Sequence, residues 1–198
     1  MEAYASDLFS IMEELKLDKP VLCGLSMGGY IALRTVERDQ SRFSGLILCN
    51  TKSESDNDTA KLVRAEKINQ INIEGVDKFV SEFVPNCFAD ETRKKKSYSY
   101  TLGKAKLHNP LGLKGALLAM ACRTSTEKFL KKINIPTLLI AGSLDILMPP
   151  PVMRAMSEKI KDSEFGITPR AGHLTPVENP HFVNDMIAGF LKRRVNNV

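Results

Sequence analysis

Pro20-Val21-Leu22-Cys23-Gly24-Leu25-Ser26-Met27-Gly28-Gly29-Tyr30-Ile31-Ala32-Leu33-Arg34 is the stretch that decides the fold. At its centre, Gly24-Leu25-Ser26-Met27-Gly28 sets a serine between glycines two positions away on either side. The apolar run Val21-Leu22-Cys23 reads as a short buried strand, and the residues from Met27 onward are compatible with a helix. A serine held on a sharp turn between the two has its hydroxyl exposed beside the first helical turn. The flanking glycines have a steric task, because backbone segments crowd together at such a turn and leave no room for side chains. Ser26 is therefore the first candidate for a nucleophile.

Two downstream segments supply the partners that such a serine needs. Ile135-Pro136-Thr137-Leu138-Leu139-Ile140-Ala141-Gly142-Ser143-Leu144-Asp145 reads as a buried strand ending in a loop that carries an acid, and Arg170-Ala171-Gly172-His173 puts a histidine in a later loop. A hydroxyl is too weak an acid to ionise near neutral pH, so a nucleophilic serine requires a base beside it. His173 is the candidate base, and Asp145 the candidate to orient its imidazole and stabilise the charged form. Asp162 precedes its strand instead of following it, which is the wrong edge of a parallel sheet for a site. His181 reads as a surface residue at a helix start, and His108 as a residue of the middle segment that does not face the site.

The order Ser26, Asp145, His173 resembles that of the α/β-hydrolase superfamily. The resemblance is carried by Gly24-Leu25-Ser26-Met27-Gly28-Gly29, by Pro136-Thr137-Leu138-Leu139-Ile140-Ala141-Gly142 with Asp145 and Pro149-Pro150, and by Ala171-Gly172-His173-Leu174 with Glu178 and Pro180. It covers roughly residues 1–51 and 132–193, and is strongest toward small-ester and lactone hydrolases typified by 3-oxoadipate enol-lactonase. It implies an α/β fold, a parallel sheet with helices on both faces, in which residues 1–51 and 132–198 form the core and 52–131 a helical cap. It also implies hydrolysis of a small carboxylic ester or (enol-)lactone through an acyl-enzyme on Ser26, with the Met27 N–H as an oxyanion-hole donor and Leu25 next to the substrate.

The resemblance further implies strands ahead of the helix at residues 3–16, and a second oxyanion donor from a loop among them. The expectation is thus of an N-terminally short form. Loss of one such donor costs about a hundredfold to a thousandfold in rate, and Val21 to Cys23 becomes an exposed apolar edge suited to self-association. The alternative reading is a non-catalytic α/β-hydrolase-like ligand-binding or regulatory protein, or a truncated inactive form. A perhydrolase or acyltransferase would use the same residues.

Composition fits one ordinary soluble domain: 198 residues, 43% hydrophobic and 26% charged. No apolar run approaches the roughly 20 residues of a membrane span, and the first residues lack the basic start and apolar stretch of a secretory leader, so the expected location is cytoplasmic. Cys23, Cys49, Cys87 and Cys122 match no metal-ligand spacing and read as reduced, mostly buried thiols, with Cys23 and Cys49 on core strands. No nucleotide, flavin or metal motif is present, so no cofactor is expected. The net charge of +5 lies mostly between Lys52 and Lys128, which hold 14 basic and 10 acidic side chains. Its densest run, Arg93-Lys94-Lys95-Lys96, reads as a solvated helix face or loop. Without aromatics placed for stacking it suggests no nucleic-acid partner, and no membrane partner is expected. A positive middle segment does suit steering of an acidic substrate.

Leu8, Ile11, Met12 and Leu15 form a helical stripe over residues 3–16, and Phe43 to Asn50 reads as a second buried strand. From about Thr51 to Lys131 the pattern is helices without strands: 61–72, 74–84, one opened by Asn109-Pro110, and a fourth after Thr124-Ser125-Thr126-Glu127, which has the capping-box form. Phe83, Leu117, Leu118 and Met120 read as packing residues. Pro149-Pro150-Pro151 opens a helix to about Ile160, Glu164 to Thr168 forms a last strand, and a closing helix from Pro176 or Pro180 runs to about Arg193.

Overall fold

The computed structural model describes residues 1–195 and holds a four-stranded, all-parallel sheet. The strands are β1 (Val21–Leu25), β2 (Gly45–Cys49), β3 (Thr137–Gly142) and β4 (Ser163–Thr168), side by side in chain order. Helix α1 (Glu2–Glu14) precedes β1, and α2 (Met27–Asp39) joins β1 to β2. Between β2 and β3 lie α3 (Asp58–Phe83), α4 (Lys96–Lys106), α5 (Pro110–Ala121) and α6 (Glu127–Leu130). Helix α7 (Pro150–Ser157) joins β3 to β4, and α8 (Thr175–Glu178) and α9 (Pro180–Phe190) follow.

Side chains of a strand alternate between faces, so a strand covered on both sides must be apolar throughout. Leu46, Leu48, Leu139 and Ala141 pack with Met12 of α1, Leu33 and Val36 of α2, and Met153 and Met156 of α7. The intervening Ile47, Cys49, Leu138 and Ile140 pack with Val183 and Phe190 of α9 on the other face. Burying one such leucine or isoleucine stabilises the fold by about 1.5–3 kcal/mol. The helical stretch between β2 and β3 has its own cluster of Ile71, Phe79, Val80, Val84, Phe88 and Leu117, which Leu147 and Leu174 join from the loops after β3 and β4.

Local signals explain most of these elements. Asn57 and Asn109 accept from the N–H groups of Ala60 (2.9 Å) and Leu111 (2.8 Å), capping α3 and α5. The helices expected at 61–72 and 74–84 are one run with a break at Gly75, whose φ of 84° suits glycine. Helix α4 is absent from the sequence reading; Tyr98, Leu102 and Ala105 form a narrow stripe that packs, partly buried, on the cluster of Phe79, Val80 and Phe88. Arg93 and Lys94 lie in a 3-10 turn (Thr92–Lys94), and Lys95 is the extended residue from which that helix starts. The capping box at 124–127 does not form: Thr124 Oγ1 accepts from Arg34 instead, and α6 is a single turn that starts at Glu127 itself. Leu117 and Met120 pack as expected, whereas Leu118 and Phe83 are 56% and 44% exposed. Of the two expected starts of the closing helix, the structure has Pro180, with α9 running to Phe190, while Pro176 lies in the separate single turn α8.

Strand β1 is an edge of the sheet, paired on one side with β2 and without a partner on the other among the described residues. For that reason Cys23, expected in the core, is exposed; Cys122, directly after α5, is exposed too, while Cys49 and Cys87 are buried. A groove of about 290 Å³ runs beside this edge, lined by Tyr4, Leu8, Ile11, Leu22, Cys23 and Ile31 among others. No described helix is long and apolar enough to cross a membrane.

Candidate active site

Ser26 sits between the last residue of β1 and the first of α2, at φ 52° and ψ −115°, a conformation that costs a non-glycine residue about 1–3 kcal/mol and persists only where the surroundings enforce it. Its N–H donates to Cys49 O at 2.9 Å, and its carbonyl accepts from Thr51 Oγ1 at 2.8 Å. A Cβ on Gly24 would lie 2.3 Å from Gly28 O, and one on Gly29 would lie 2.4 Å from Thr51 Oγ1. A Cβ on Gly28 would meet nothing within 4 Å. The steric demand therefore falls on Gly24 and Gly29, and the reading that gave it to Gly28 is corrected.

The loop after β3 presents Asp145 and the loop after β4 presents His173, both buried and both at the same end of the sheet as Ser26. His173 Nε2 lies 2.8 Å from Ser26 Oγ, and His173 Nδ1 lies 2.8 Å from Asp145 Oδ2. Asp145 also accepts from the N–H groups of Leu147 and Met148 through Oδ1 and from Asn50 Nδ2 through Oδ2. A carboxylate so surrounded by donors only accepts, which fixes the proton of the imidazole on Nδ1 and leaves Nε2 free to accept from the serine hydroxyl. Burial pushes the Asp145 carboxyl up. The hydrogen bond and charge of His173, with the Met148 N–H and the Asn50 amide, outweigh it and hold the group below its ordinary value.

Asn50 is a residue that the sequence reading left as the end of a strand. It is fully buried at φ 47°; its amide nitrogen donates to Asp145 Oδ2 at 2.8 Å and its amide oxygen accepts from Thr175 Oγ1 at 2.7 Å. An asparagine directly after a buried strand, with its tolerance of positive φ, is the signal that marks it. Glu178, quoted above only as part of a motif, is buried and accepts from the N–H groups of Gly172 and Leu174, the neighbours of His173.

Met27 is the first residue of α2, so its N–H belongs to the turn in which helical donors lack helical acceptors. Leu25 is half-buried and packs into the cluster on the α9 face. Asp162 immediately precedes β4, at the opposite end of the sheet, and His108 and His181 are exposed. Among the described residues no group of three or more His, Cys, Asp or Glu is placed to hold a metal ion.

A parallel sheet covered by helices on both faces, with a serine on a strand-to-helix turn and an acid and a histidine on later strand ends, defines an α/β-hydrolase. More narrowly, the chain belongs to the family described as "Serine aminopeptidase, S33", which matches residues 1–180. It is similar to a thermophilic esterase from Thermogutta terrifontis solved with malate bound, at 33% identity and a TM-score of 0.92 over 96% of this chain and 71% of that one. It is 28% identical over 94% of its length to a Bacillus subtilis protein assigned as a 2-succinyl-6-hydroxy-2,4-cyclohexadiene-1-carboxylate synthase, covering 70% of that protein. It is also 26% identical to 3-oxoadipate enol-lactonase 1 of Acinetobacter baylyi, over 97% of this chain and 71% of the lactonase.

Proposed function

We propose that the chain is a serine hydrolase that cleaves a small carboxylic ester or (enol-)lactone through an acyl-enzyme on Ser26. The observation that carries this reading is the 2.8 Å approach of His173 Nε2 to Ser26 Oγ, with Asp145 behind Nδ1. In this reading Ser26 Oγ attacks the substrate carbonyl as its proton passes to Nε2, and Asp145 stabilises the imidazolium that forms. The tetrahedral oxyanion faces the start of α2, where the Met27 N–H and the positive end of the helix dipole favour negative charge. His173 then gives its proton to the leaving oxygen. Water deprotonated by the same nitrogen cleaves the acyl ester and restores Ser26. Residues 52–131 act as a cap whose lining selects the substrate.

Ester and lactone chemistry is supported by the names of two of the similar proteins, an esterase and an enol-lactonase. The family description names an aminopeptidase, so aminoacyl amides belong in the same substrate screen. Intact mass after treatment with a fluorophosphonate, for the parent chain and for Ser26→Ala, tests the mechanism. One adduct on the parent that the variant lacks is the expected result. A folded parent that takes up no adduct would overturn the reading in favour of a non-catalytic binding protein.

A further inference from the structure

We propose that Glu178 is a positioning residue that ties the His173 loop to the helical segment between β2 and β3, so that the aim of His173 at Ser26 depends on where that segment sits. This rests on the reading of Ser26 and His173 given above. Glu178 is 2% exposed, and its two oxygens divide their work between two parts of the chain. Oε1 accepts from Gly172 N (2.8 Å) and Leu174 N (3.2 Å), on either side of the histidine. Oε2 accepts from Ala89 N (2.8 Å) and Thr92 Oγ1 (2.5 Å), both in the helical segment.

Other contacts run parallel to this clamp. The N–H groups of His173 and Leu174 both donate to Cys87 O, at 3.0 and 3.1 Å, and Lys95 Nζ donates to Glu178 O at 3.1 Å. The fit is close enough that a Cβ on Gly172 would lie 2.7 Å from Ala89 N. A buried carboxylate is costly unless donors fill it, and mere packing between these parts would be served better by an apolar side chain. What a carboxylate supplies is two oxygens that only accept, each able to take two donors. One oxygen holds the loop that carries His173, and the other holds the segment that would cover the substrate.

Glu178→Gln tests this, because the amide keeps one accepting oxygen and turns N–H donors toward the other pair of donors. The expected result is a kcat for ester hydrolysis lower by about 10- to 100-fold, as a displaced catalytic group would give. KM should change by less than about twofold, since no substrate contact is lost. In the same variant the far-downfield NMR proton of the His173 Nδ1–Asp145 hydrogen bond should shift or broaden. Thr92→Val removes a donor from the far side of the clamp and touches neither His173 nor Ser26; it should move both readouts in the same direction, by less.

A folded Glu178→Gln chain with parental kcat and an unmoved proton would overturn the proposal. So would a Thr92→Val chain that loses thermal stability alone, and this variant decides the matter if Glu178→Gln does not fold. Because the NMR proton requires no turnover, a parent chain inert to the fluorophosphonate would sink the hydrolase reading while the clamp remains tested.

Discussion

The two halves of the site are built in different ways. The Asp145–His173 half combines local and remote contacts: Asp145 is held by the nearby N–H groups of Leu147 and Met148 and by the remote Asn50, and the His173 loop by the nearby Glu178 and the remote Cys87. The nucleophile half is held chiefly by backbone, through the N–H of Ser26 on Cys49 O, Thr51 on its carbonyl, and the tight approaches at Gly24 and Gly29. Its outer flank is the edge of β1 that has no strand partner among the described residues, where Leu22, Cys23, Gly28 and Ile31 line an open groove. The comparison teaches that, in the proposed reading, the serine is placed by one strand-turn-helix and the end of the neighbouring strand β2, whereas aiming the histidine draws on loops after β3 and β4 and on the helical segment as well.

The largest effect should come from the acid–base half. Asp145→Asn would present an amide N–H in place of an acceptor and favour the wrong imidazole tautomer, so ester hydrolysis should fall by about 10⁴-fold with KM little changed. The same carboxyl links stability to pH. Its folded pKa lies below the ordinary value, so the ionised group favours the native state above the unfolded value of about 3.9, and that contribution is lost as pH falls through the lower folded value. Urea unfolding of parent and variant at several pH values should show a gap at about pH 6 that narrows on acidification through about pH 4. A gap that is independent of pH would mean that Asp145 is not ionised in the folded chain.

Asn50→Ala comes next. It leaves Thr175 Oγ1 without its acceptor and Asp145 with one donor fewer, both buried, and each such orphaned group costs about 1–3 kcal/mol. The chain should unfold at lower urea and hydrolyse esters more slowly, by less than Asp145→Asn. Parental activity at reduced stability would make Asn50 a support of Thr175 alone.

How far the sequence reveals this architecture follows the same division. The 15 residues from Pro20 to Arg34 carry their own strand, turn and helix, so Ser26 could be read without knowing the rest. Asp145 and His173 were legible because each follows a strand, and strand ends place residues at one edge of a parallel sheet. Asn50 and the clamp at Glu178 were not, because their partners lie 95 and 86–89 positions away and leave no periodic trace. In the helical segment, apolar residues spread round α5 gave no reason to choose Leu117 over Leu118. Lys96 to Lys106 form a helix whose packing face is only the three partly buried residues Tyr98, Leu102 and Ala105, set among lysines and serines.

Smaller effects separate two adjacent glycines of the nucleophile half. Gly29→Ala drives a methyl group into Thr51, the residue that holds the Ser26 carbonyl, and should cost about 1–3 kcal/mol together with some activity. Gly28→Ala enters open space within α2 and should be neutral, or stabilising by up to about 1 kcal/mol through helix propensity. Urea midpoints that move in the same direction for both variants would break the assignment of the tight contact to Gly29.

The smallest effect is expected on the open flank itself. Cys23 is exposed on the strand edge, so its thiol should react with iodoacetamide while the chain is folded. Cys49 is buried and burial pushes its thiol up, and burial beside Asp145 and Glu178 pushes the Cys87 thiol up to about 12, so both should stay unmodified while the chain is folded. In a Cys122→Ser background, intact mass should therefore show one adduct, at Cys23. An unpaired strand edge is a template for a second chain, so sedimentation should show association of the untreated protein that a bulky maleimide on Cys23 reduces. Fluorophosphonate labelling of Ser26 should be unchanged in the alkylated protein, because Cys23 belongs to none of the contacts that hold the serine. If alkylation silences Ser26, the flank and the nucleophile are coupled, and the backbone alone does not hold this half of the site.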